Sequence, residues 1–145
     1  VVPSLCTAYG LDPSRVADVD TIFRMTLSEP ALFRALNDLV ESITVFHVAC
    51  VNCGRVIESI RRMISPNLDG AQAWQTMHRV LNISRPYQEW ISNQDKGPRH
   101  ADPAFVPGNI TTEVTNRTWT VMNRLLEYRK RGDQPLTSPD FPLLQ

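Results

Sequence analysis

Between Leu32 and Ile64 apolar side chains return at helical spacing: Phe33, Leu36, Leu39, Val40, Ile43, Phe46, Cys50, Ile57 and Ile60 fall between these ends, and no proline intervenes until Pro66. A 3.6-residue period over so long a stretch predicts an amphipathic helix, and the missing period-two alternation argues against strand. Ser28-Glu29-Pro30 supplies a start signal, with proline where a helix tolerates it. The β-branched run Ile43-Thr44-Val45 lowers helix propensity near the middle, yet no turn residue accompanies it. The preferred reading is one long, bent central helix; two helices meeting near Ser42 to Thr44 is the alternative.

The same reasoning places four further helices. Asp12-Pro13-Ser14 opens a first helix over about Pro13 to Met25, after an extended segment that reaches Leu11. Beyond a turn at Asn67 to Gly70, Ala71, Trp74, Met77, Val80 and Leu81 mark a third helix, and Ser84-Arg85-Pro86 restarts a short fourth with Tyr87, Trp90 and Ile91. An irregular loop, Asp95 to Gly108, precedes a last helix through Ile110, Val114, Val121, Leu125 and Tyr128. Arg124, Arg129, Lys130 and Arg131 place positive charge towards its C-terminus, and Gly132 ends it. The tail from Asp133 holds three prolines and reads as mobile or loosely laid on the surface. The expected fold is all-α, a bundle of about five helices in one domain, residues 1–132, followed by a Pro-rich tail over 133–145.

Composition narrows the function classes. A chain of 145 residues suits one domain and buries enough surface to fold without disulfide or metal. Lys plus Arg equals Asp plus Glu at 15 each, so only a local basic patch, not a global field, is left to attract phosphate. No apolar run is long enough to span a bilayer, and the start does not read as a signal peptide, so no membrane partner is expected. Three cysteines, Cys6, Cys50 and Cys53, are too few and too odd for a disulfide framework and favour a reducing cytoplasm. Glycosylation triplets begin at Asn82, Asn109 and Asn116, and would matter only in a secreted chain.

Three polar constellations remain. His47, Cys50 and Cys53 have ligand chemistry, but on one helix they spread too far round the axis to close on a single ion. Small buried residues at a close crossing, with Gly54 permitting approach, is the preferred reading, and no metal or other cofactor is expected. On the same helix Asn52, Arg55, Glu58, Ser59, Arg61 and Arg62 form a polar face. Arg55, Glu58 and Arg62 share a stripe there, and Glu58 with Arg62 makes a favourable i,i+4 pair. The loop segment Asp95-Lys96-Gly97-Pro98-Arg99-His100-Ala101-Asp102-Pro103 gathers cations and a histidine between residues that restrict the backbone. His100 titrates nearest neutrality, Asp102 is placed to orient it, and Arg99 and Lys96 suit a phosphate. His78 reads as a satisfied or exposed helical histidine, and Trp74, Trp90 and Trp119 as core anchors. Phosphate-loop, dinucleotide-binding, nucleophile-elbow and zinc-protease motifs are absent.

A long helix with the stripe Arg55-Val56-Ile57-Glu58, a short helix, a loop bearing Arg99-His100 and a closing helix together resemble the HEPN superfamily of helical bundles. That resemblance implies a metal-independent ribonuclease or an RNA- or nucleotide-binding relative, often a homodimer. In it, arginine stabilises phosphate and histidine assists attack by the 2′-hydroxyl. Carried onto this chain, it makes Arg99 and Arg55 phosphate contacts, His100 the acid or base and Glu58 the residue orienting Arg55, with Lys96, Asn52, Arg62 and Asp102 as binding residues. The family's arginine precedes its histidine by several residues, whereas Arg99 and His100 are adjacent. The rival expectation is a non-enzymatic bundle that dimerises or docks a partner, with an exposed apolar face on one helix.

Overall fold

A computed structural model describes residues 16–68, 70–95 and 106–145. Among them six α-helices form the molecule: α1 (Val16–Ser28), α2 (Pro30–Thr44), α3 (Ala49–Ile64), α4 (Gly70–Leu81), α5 (Arg85–Asn93) and α6 (Gly108–Lys130). The all-α expectation holds, and the described residues contain no strand beyond one isolated bridge. No helix among them is long and apolar enough to cross a membrane.

The long central helix is instead two helices. Val45 leaves helical geometry at φ −120° and ψ 83°, a single 3₁₀ turn over Phe46–Val48 follows, and α3 then runs back along α2. The antiparallel register is read from Glu41 opposite Asn52 and Asp38 opposite Arg55. Burial explains the reversal. A straight helix over the whole segment would run about 50 Å, well beyond the roughly 40 Å width of a domain this size. Folded back, Leu32, Ala35 and Leu39 of α2 join Cys53, Val56, Ile57 and Ile60 of α3 in one core cluster. Their period continues unbroken because both helices face that core.

At the other end of α2, Glu29 breaks the geometry (φ −123°, ψ 95°). Even so, Glu29 N donates to Met25 O at 3.0 Å and Phe33 N to Glu29 O at 3.1 Å. Thus α1 and α2 are a proline-bent pair. Arg129 of α6 fastens this corner, donating to Glu29 Oε1 at 3.3 Å, to the Met63 carbonyl at 3.0 Å and to both Asp133 oxygens. α3 lies at the centre, packed by α2, α4, α5 and α6. Ser84 caps α5, its Oγ accepting from Tyr87 N at 3.3 Å.

The C-terminal tail is not loose. Leu136 N donates to Val80 O at 2.8 Å, Leu144 N to Asn82 O at 3.1 Å and Ser84 N to Leu144 O at 2.8 Å. Leu136 is buried, Phe141 and Leu144 pack on the core, and Asn82 Nδ2 donates to Phe141 O at 2.7 Å. Arg124, read from sequence as a C-terminal helix charge, is only 8% exposed beneath this strap and donates to Pro142 O at 2.7 Å.

Candidate functional site

The hairpin creates the first site by bringing two polar helix faces together. Arg34 and Asp38 of α2 face Arg55, Glu58, Ser59 and Arg62 of α3 across a cleft of about 730 Å³. Arg55 pairs with Asp38 at 3.2 Å, and Asn52, itself buried, donates to Glu41 Oε2 at 3.2 Å just beyond it. Burial pushes the Asp38 carboxyl above its ordinary value, an effect Arg55 opposes, Glu41 reinforces and Arg34 again opposes.

This geometry corrects two expectations. Glu58 does not orient Arg55, which reaches instead across the helix gap to Asp38. Nor does Glu58 pair with Arg62: its Oε2 accepts from Arg61 Nε at 3.1 Å and Nη2 at 2.9 Å. Arg61 wins because its guanidinium also lies 5.2 Å from the centroid of the Trp74 ring, where its side chain is largely withdrawn from water. Arg62 is left exposed at the cleft. No carboxylate among the described residues lies within ion-pair distance of Arg34 or Arg62.

Lys96, Arg99, His100 and Asp102 lie outside the described residues. The point where the chain enters that segment is described. Asp95 is buried against Gly54, the residue before Arg55, so closely that a Cβ on Gly54 would overlap its carboxylate. Gly54 therefore does permit a close approach, though by Asp95 and not by a crossing helix. At the segment's far end Val106 packs on the core, and Gly108 stands beside Phe46.

The cysteines behave as packing residues. Cys50 and Cys53 are buried and unpaired, His47 is exposed, and no metal-holding group of His, Cys, Asp or Glu occurs among the described residues. Burial first, then Cys53 and Asp95, pushes the Cys50 thiol up to about 11, so it is not a thiolate near neutrality.

A second cleft, of about 550 Å³, opens on the other side of Glu58 between α4 and α5. Trp74, His78, Gln88 and Ser92 line it. Gln88 links two of them: its Oε1 lies 3.3 Å from His78 Nε2, and its Nε2 donates to Ser92 Oγ at 2.7 Å. Burial lowers the His78 pKa from its ordinary 6.5, with Gln88 and Glu89 opposing and Arg85 assisting. Sequence reasoning missed Arg34 and Asp38, because on one continuous helix they lie far from Arg55. It read Trp74 as a core anchor and His78 as a satisfied or exposed helical histidine.

Residues 19–130 match the family model described as the C-terminal domain of a domain of unknown function, DUF8168. The chain belongs to this family. Neither the curated proteins nor the solved structures gave a match. The DUF8168 match runs from the fourth residue of α1 to the last of α6 and takes in both clefts, leaving out the C-terminal strap.

Proposed function

We propose that the cleft between α2 and α3 binds the phosphates of RNA or of a nucleotide, and that this binding serves a metal-independent ribonuclease reaction. One observation carries the reading: two arginines from facing helices, Arg34 and Arg62, line the cleft with no carboxylate at ion-pair distance among the described residues, Arg34 acting on Asp38 only from further away. Arg55 stands beside them, fixed by Asp38. Guanidinium groups suit phosphate because they donate in a planar fork and remain charged at every physiological pH. With a net charge of zero, electrostatic attraction of phosphate has to come from a local cluster of this kind. In this reading His100 supplies the acid or base and Arg99 a further phosphate contact.

Binding of a labelled single-stranded RNA tests it, with wild type, Arg34→Ala, Arg62→Ala and the double variant compared. Each single change should weaken binding several-fold, and unchanged affinity in the double variant removes the reading. Cleavage without metal, wild type against His100→Ala, separates reaction from binding; equal rates, or none from either, leave a binding module alone.

A second reading, a non-enzymatic bundle that pairs with another copy of itself, is favoured by a different observation. Phe23 and Leu27 of α1 are 61% and 64% exposed and stand one helical turn apart. Phe33, Val40 and Ile43 of α2 are exposed as well. Large apolar side chains left exposed on neighbouring turns of a helix suit an interaction surface. Sedimentation of wild type and a Phe23→Ser, Leu27→Ser variant decides it, since that reading requires a dimer which the variant loses.

A further inference from the structure

We propose that the cleft between α4 and α5 is a nucleobase subsite of the same ligand site, so that the substrate class is single-stranded RNA or a nucleotide held at phosphate and base together. This inference rests on the phosphate reading of the first cleft. The two clefts share a wall, because Glu58 lines both. Behind that wall Arg61 performs two tasks at once. Its Nε and Nη2 hold Glu58, while its guanidinium lies over the Trp74 ring at 5.2 Å. Trp74 is thus an aromatic surface fixed before any ligand arrives, at the edge of a cavity of about 550 Å³. Preorganised aromatic side chains are what single-stranded nucleic acids use, since every base offers a π-face.

The rest of the cleft suits the edge of a base. With Gln88 Oε1 as acceptor, His78 carries its proton on Nε2 and leaves Nδ1 as an acceptor. Gln75 and Asn93 add amides that can both donate and accept. Arg85 is occupied by Glu89 at 2.7 Å, so the cleft lacks the unpaired cations of its neighbour. One cleft therefore offers unpaired positive charge and the other a ring with neutral polar groups beside the Arg85–Glu89 pair, as the two ends of a nucleotide require.

Calorimetric titration of a nucleoside monophosphate, ribose 5-phosphate and a short single-stranded RNA into wild type, Arg34→Ala/Arg62→Ala and Trp74→Ala tests the inference. The arginine variant should lose affinity for all three ligands. Trp74→Ala should weaken the two base-bearing ligands roughly tenfold and leave ribose 5-phosphate unchanged. Trp74 is partly buried, so a second measurement guards against misfolding: with Trp90 and Trp119 replaced by Phe, the remaining fluorescence should be quenched by the monophosphate and not by ribose 5-phosphate. Equal binding of both monophosphates without quenching overturns the base subsite while the phosphate reading stands. No binding of any ligand overturns both.

Discussion

Gly54 sits in the interior of α3, where alanine would ordinarily stabilise a helix by up to about 1 kcal/mol. Here the sign should reverse, because the Asp95 carboxylate fills the volume a methyl group needs. Gly54→Ala is expected to cost about 1–3 kcal/mol, the usual range for overpacking, read as a lower urea midpoint at unchanged slope. A stability equal to or above wild type would show that Asp95 is not packed there. His78 makes a prediction in pH. Its folded pKa lies below the 6.5 of the unfolded chain, so below that pH the unfolded state takes up the proton first. Stability from this residue is therefore complete above pH about 7, falls as pH drops through 6.5 and levels off below the folded value. Between pH 7.5 and 5.5 the urea midpoint of wild type should fall further than that of His78→Gln; parallel curves would contradict a half-buried imidazole whose pKa burial lowers.

At the level of elements, the strap over Leu136–Leu144 and the α2–α3 hairpin were the parts least legible in the sequence, for different reasons. The strap has no hydrophobic period. Its anchors are isolated apolar residues and backbone groups that find Val80, Asn82 and Ser84 only once α4 and α5 exist. Periodicity cannot register contacts of that kind. Leu136 is 1% exposed, so Leu136→Ala should cost about 2–5 kcal/mol in the denaturant midpoint, far more than a change in a loose tail. A break near Ser42 to Thr44 was legible only as the alternative reading, because the turn contains neither glycine nor proline. Val45, Phe46, His47 and Val48 make the reversal through one 3₁₀ turn, with Val45 and Phe46 left exposed. By contrast α4, α5 and α6 were legible to within a few residues, since each begins or ends on a signal that acts locally: Ser84 capping α5, and Gly132 at φ 66° after α6.

For the molecule as a whole, the legible part of the candidate site was one helix face. Arg55, Asn52 and Arg62 were readable from helical spacing on α3, whereas their partners depend on which helix folds against which. Once α2 turns back, the positive groups of the site form a small cluster on a molecule with no net charge. That has a measurable consequence for RNA binding. Each phosphate neutralised on a single strand contributes about −0.7 to the slope of log affinity against log salt. Engagement of Arg34, Arg55 and Arg62 sets that slope at about −2, and Arg99 as a further contact at about −3, far shallower than for proteins whose whole surface attracts nucleic acid. Replacing Arg34 or Arg62 by alanine should make the slope shallower by about 0.7 as affinity falls, because one counterion fewer is released. Trp74→Ala should lower affinity at every salt concentration and leave the slope where it was, since stacking releases no counterions. A steep slope, or one the arginine variants do not change, would place the phosphate contacts outside this cleft.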